Sequence, residues 1–149
     1  VSSGYAGLAN FTTPLVVTKL PGKFWEVVAP FTYHLGTPSG SEFVDVPVGT
    51  ITDFASIPPP ASWIWKSPGS NIDKPAVIHD TLYCLPYVQS HQGLRPITRA
   101  EADAIFHEAL GVEDLQIRPI TRWTLYHGVR VGGWRPWNRY RTVETGMPY

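Results

Sequence analysis

Three consecutive prolines, Pro58-Pro59-Pro60, constrain this chain more than any other feature. Each fixes φ and removes an amide donor, so the run excludes a sheet ladder and favours extended or turn geometry. The segment TDFASIPPPASW therefore reads as an irregular crossing between two halves of different character. Before it, apolar side chains follow strand period; after it, they follow helical period. Strands first and helices second define an α+β domain.

Antiparallel strands are expected over about 13–48. TPLVVTKL and FWEVVAPFTYHL are β-branched and aromatic, and Pro21-Gly22 between them is a turn signal. GTPSGS marks a second turn before EFVDVPVG, where Val44, Val46 and Val48 alternate with Phe43, Asp45 and Pro47. The valines are expected to face inward, and Pro47 to put this strand at a sheet edge.

Three helices follow, at about 73–85, 98–110 and 119–132. Asp73 is placed to cap the first, with Pro75 in its first turn and Pro86 as its stop. Thr98 and Glu101 spell a capping box for the second, which carries Asp103, Phe106 and Leu110 on one face and ends at Gly111. The third starts near Pro119 and ends at Gly132-Gly133. The remainder, WRPWNRYRTVETGMPY, shows no periodicity and is expected to be an irregular tail.

A length of 149 residues suits a single domain, 1–149, with 1–12 and 134–149 as extended docking arms. Lys and Arg balance Asp and Glu at 12 each, which argues against a broad nucleic-acid footprint or a polybasic membrane anchor. Six Trp, seven Tyr and fifteen Pro instead suggest irregular chain pinned by large side chains, as in proteins that pack on partners. Cys84 is the only cysteine, so neither an internal disulfide nor a cysteine metal cage can form. No apolar run approaches the roughly 20 residues that span a bilayer, and VSSGYAGLANF lacks the pattern of a signal peptide.

The chemistry concentrates in DKPAVIHDTLY, residues 73–83. On a helix His79 and Tyr83 are i and i+4, Asp80 and Tyr83 are i and i+3, and Ala76 leaves room for another helix. Asp103 shares a stripe with Phe106 and Leu110, so its carboxylate points at the core and wants a histidine or arginine. His79 is the expected partner, and Arg99, four residues before Asp103, can also pair with it. A His79–Asp103 pair would set the imidazole tautomer and leave the other nitrogen to take a proton from water. Asp80, turned the other way, could hold a hard cation such as calcium. Asp53 is either a turn cap or a further ligand reaching the His-Asp helix. Ser56 has no Gly-x-Ser-x-Gly elbow around it. The alternative to a catalytic site is a buried polar cluster of His79, Asp103 and Tyr83 that locks two helices in register. A third reading joins Asp103 and His107 to His79 and Asp80 as the metal site of a phosphohydrolase.

The string Asp73-x-x-Ala76-x-x-His79-Asp80-x-x-Tyr83, followed by Ala102-Asp103, resembles the active-site helices of phospholipase A(2), closest to the cysteine-free form in parvovirus capsid proteins. The resemblance covers about 73–110. It implies His79 as general base, Asp103 as its orienting carboxylate, Tyr83 in the same network and Asp80 as calcium ligand. The interval PPPASWIWKSPGSN departs from it, because it lacks the Gly-x-Gly of the lipase calcium loop. A second resemblance is broader: FTYHL, VDVPVGTITDFASIP, AVIHDTLY, RAEADAIFHEAL and TLYHGVRVGG, spanning about 31–133, are similar to a domain of unknown function encoded by bacteriophages and prophages. It implies a phage protein, and the expectation drawn from it is a virion component made in the host cytoplasm. The aromatic, proline-rich ends suggest tail or baseplate assembly surfaces. Partners implied are other virion proteins, further copies of the chain and host membrane lipid, with no nucleic acid.

Overall fold

The computed structural model describes residues 10–11, 14–22, 24–37, 39–52, 71–112 and 115–142. Five strands come first: β1 (Val17–Lys19), β2 (Trp25–Val27), β3 (Phe31–His34), β4 (Phe43–Val46) and β5 (Ile51–Thr52). Helix α1 (Asp73–Cys84) follows, then a hairpin of β6 (Tyr87–Ser90) and β7 (Gly93–Pro96), and then α2 (Arg99–Leu110), α3 (Pro119–Gly132) and α4 (Trp134–Thr142). The class is α+β, as the change of period predicts.

Two antiparallel sheets form, ordered β1-β2-β5 and β3-β4-β6-β7. The β1–β2 hairpin turns through Gly22, whose φ of 75° suits glycine. FWEVVAPFTYHL divides at Pro30, and its two halves join different sheets. Val44 and Val46 face inward as the alternation predicts, whereas Val48 lies past the strand end and is exposed. The edge placement of this strand is corrected: β4 is interior, between β3 and β6. Pro47 is compatible with that position because the ladder has already ended at Val46.

The hairpin β6–β7 carries no expectation in the sequence, since its short strands lie between Pro86 and Pro96 and β7 is exposed throughout. Pro96 sits at the end of an edge strand, where a missing amide costs little.

Helix α1 is the centre of the molecule, packed on α2, α4 and β4. Ten of its twelve residues are buried, so it behaves as an internal helix rather than a surface one. Ile72, not Asp73, occupies its N-cap position and makes no side-chain cap. Asp73 is the first helical residue, where its charge still favours the helix dipole. Thr98 and Glu101 form the reciprocal capping box of α2, and Pro119 opens α3 at N1.

The irregular tail is corrected over 134–142, which is helical. Pro136 falls in the first turn of α4, where proline is tolerated. Trp137 and Tyr140 pack on the core, and Trp137 meets Tyr83 edge-on at 5.2 Å. Arg141 donates from Nη2 to the carbonyls of Tyr83 and Cys84 while lying over the Trp137 ring at 4.4 Å. Helix α1 has no basic residue in its last turn, so α4 supplies the cation its C-terminal carbonyls favour. At the other end of the chain, Phe11 is buried and bridges to Tyr33.

Candidate functional site

The site is the seam between α1 and α2, closed by the end of α3. One turn of α1 stacks His79 and Tyr83, with ring centroids 4.2 Å apart. Across the seam, the register of α2 that buries Phe106 and Leu110 also buries Asp103 completely. The Asp103 carboxylate accepts from His79 Nε2 at 2.8 Å and from the Tyr83 hydroxyl at 2.7 Å, both on Oδ1. Its Oδ2 accepts from Arg130 Nη1 at 2.7 Å and from Arg99 Nη1 at 3.3 Å. Phe106 also packs against the imidazole, with centroids 4.7 Å apart.

A buried carboxylate is costly unless its lone pairs are satisfied, and here two guanidiniums and two ring donors satisfy them. Burial pushes the Asp103 pKa up, but the bonds and charges of His79, Tyr83 and Arg130 outweigh it, and the net direction is down. Asp103 is thus a carboxylate and must accept. Nε2 of His79 then carries the proton, and neutral His79 has its lone pair on Nδ1. Burial, followed by the bond to Asp103, pushes the Tyr83 hydroxyl pKa up, so it stays protonated as a donor.

Three predicted site residues, His79, Asp103 and Tyr83, therefore meet in one network. Asp80 faces away from it, as expected, and its Oδ2 accepts from the hydroxyl of Thr52 at 2.6 Å, at the end of β5. Asp53 lies outside the described residues, as do Ser56 and the whole interval 53–70 compared with the lipase calcium loop. Among the described residues no group of three His, Cys, Asp or Glu side chains could hold a metal ion. His107 does not join His79 and Asp80: it is exposed and stacks on Tyr126 of α3, centroids 4.9 Å apart. His34, in β3, has its Nδ1 3.2 Å from the Gly40 carbonyl oxygen.

Arg99 pairs with Asp103 as its i, i+4 spacing allows, and also donates to the carbonyls of Val129 and Arg130, both at 3.2 Å. One guanidinium thus ties the carboxylate to the C-terminal end of α3. Arg130 is the residue sequence reasoning missed. No spacing rule relates α3 to α2, and its role is visible only in three dimensions.

Gly133 completes the seam. A Cβ there would fall inside van der Waals contact of the Tyr83 hydroxyl and the Val129 carbonyl oxygen, and at 3.3 Å from Arg99 Nη1. Gly133→Ala is expected to cost about 1–3 kcal/mol through overpacking, read as a lower melting temperature. Unchanged stability would mean that the seam has slack.

The arrangement can hold a histidine in one tautomer, bury its orienting carboxylate and keep a phenol in the same network. No curated protein and no solved structure matches the chain. A family model does match, over residues 25–129, almost the stretch on which the phage-family resemblance rests. The seam lies almost wholly inside that match, with only Arg130 and Gly133 beyond its end, and the chain belongs to the family described as protein of unknown function (DUF1353).

Proposed function

We propose that this is a bacteriophage virion protein, associated with the tail or baseplate, whose α1–α2 seam hydrolyses lipid esters of the host envelope. The observation that supports the chemistry best is the 2.8 Å bond between His79 Nε2 and a fully buried Asp103. Asp103 holds the Nε2 proton, and because His79 is only 2 % exposed the seam must open on this reading before Nδ1 can take a proton from a water that adds to the ester carbonyl. The imidazolium returns the proton to the leaving alkoxide, and the acid and alcohol depart. Tyr83 and Phe106 keep the ring from rotating, and Arg99 and Arg130 hold Asp103 in place. Calcium at Asp80, when bound, supplies a Lewis acid for the carbonyl oxygen. The virion assignment rests on the resemblance of its motif strings to those of phage-encoded proteins.

His79→Asn is expected to lower fatty-acid release from phospholipid vesicles by about 10²–10⁴-fold, the usual contribution of a general base. A folded variant with unchanged turnover would overturn the lipolytic reading, and absence of the protein from purified particles would overturn the virion reading.

One observation favours a second reading. Asp103 already binds two guanidiniums, so its charge is compensated without His79. On that reading the seam is a structural lock, and His79→Asn lowers the melting temperature while no ester is turned over by the wild type.

A further inference from the structure

Residues 115–142 carry six arginines, half of the 12 Lys and Arg of the chain, and no Asp or Glu. A neutral chain thus has one strongly cationic region, formed by α3 and α4. Among the described residues, the same region carries most of the exposed large apolar side chains of the helical half: Ile120 is 66 % exposed, Trp123 57 %, Val131 77 % and Trp134 49 %. Their spacing of three, eight and three residues, with His127 between, puts them on one side of α3, opposite the buried Leu125 and Val129. Gly133 keeps αR torsions, so Trp134 continues the stripe. Trp123 and His127 stack at 4.1 Å, and Arg135 lies 5.1 Å over the Trp134 ring. Exposed guanidinium-bearing residues stand at both ends, Arg118 before the stripe and Arg135 and Arg139 after it.

We propose that this face of α3 and the start of α4 docks on an anionic bilayer surface. Indole rings favour the headgroup layer, where one end is apolar and the other wet. Ile120 and Val131 gain only if they enter an apolar phase, which a phosphodiester strand does not provide. The exposed arginines at the two ends of the stripe, Arg118 and Arg135, complement anionic headgroups within a Debye length of the surface. Apolar stripe and cations together fit an interfacial helix face, lying on the membrane rather than crossing it. No helix among the described residues is long and apolar enough to cross one. The surface is separate from the His79 seam, and the proposal stands without the lipolytic reading.

The test mixes the full chain with vesicles of phosphatidylcholine, with and without phosphatidylglycerol, and measures co-sedimentation and tryptophan emission. Binding to the phosphatidylglycerol vesicles, with a blue-shifted emission, is expected. Arg118→Gln and Arg135→Gln should each weaken it about fivefold. Trp123→Ala combined with Val131→Ser should weaken it about tenfold. These variants should keep the wild-type melting temperature and any hydrolysis of a soluble short-chain ester. Equal binding to both vesicle types by wild type and the arginine variants would overturn the proposal. So would no sedimentation with either, or retention only by an acidic protein or a polynucleotide. Vesicle binding without lipid turnover by the wild type would support the surface and overturn the lipolytic reading. Turnover of a soluble ester without vesicle binding would overturn the surface alone.

Discussion

Asp103→Asn is expected to destabilise the protein by about 3 kcal/mol, the low end of the range for breaking a buried ion pair. The carboxylate is fully buried and has four donors aimed at it. An amide keeps one acceptor oxygen and turns its other atom into a donor facing two guanidiniums. The cost does not reach the top of the range, because Arg99 and Arg130 each keep part of their side chain in water. Against a total stability of about 5–15 kcal/mol, even this amount is a large fraction. Urea unfolding would show it as a lower midpoint with an unchanged slope.

The same carboxylate sets a pH dependence. Its pKa in the folded protein lies below the ordinary value, so the unfolded chain binds the proton more readily. Its contribution is therefore complete above the ordinary carboxylate pKa and is lost as pH falls through the depressed folded value. Wild type should lose stability across that acidic window more steeply than Asp103→Asn. Parallel curves would mean that Asp103 is not the group responsible.

Phe106→Ala carries the other large effect, about 3–5 kcal/mol. The ring is completely buried and lies 4.7 Å from the imidazole of His79. Its removal opens a cavity between α1 and α2, and His79 loses one of the two rings that hold its plane. Because the two residues touch, Phe106→Ala and His79→Asn should not add. A double-mutant cycle on melting temperature reads the coupling, and strict additivity would show that the ring contact does not position His79.

The core of the candidate site was legible because its logic is local. His79 and Tyr83 are one turn apart, and the stripe that buries Phe106 and Leu110 must also bury Asp103, so an inward carboxylate in want of a partner follows from helical period, while its meeting with His79 depends on how the two helices pack. The capping box at Thr98 and Glu101 and the proline at the start of α3 are equally local, and they mark those helix ends. Where local signals failed, they were outweighed. The hairpin 87–96 is short, exposed along β7 and bounded by prolines, so neither alternation nor propensity marks it. Helix α4 is only nine residues and depends on docking against α1, where Trp137 and Arg141 find partners that a peptide of that length would lack.

Periodicity and capping act within a few residues, so the α+β order, the three longer helices and the inward placement of His79, Tyr83 and Asp103 were readable from the chain alone. Packing between distant parts of the chain places β4 in the sheet interior, docks α4 on the C-terminal end of α1, and brings Arg130 and Gly133 to the seam. Those outcomes rest on contacts between residues far apart in the chain, and no spacing within one helix or strand encodes them.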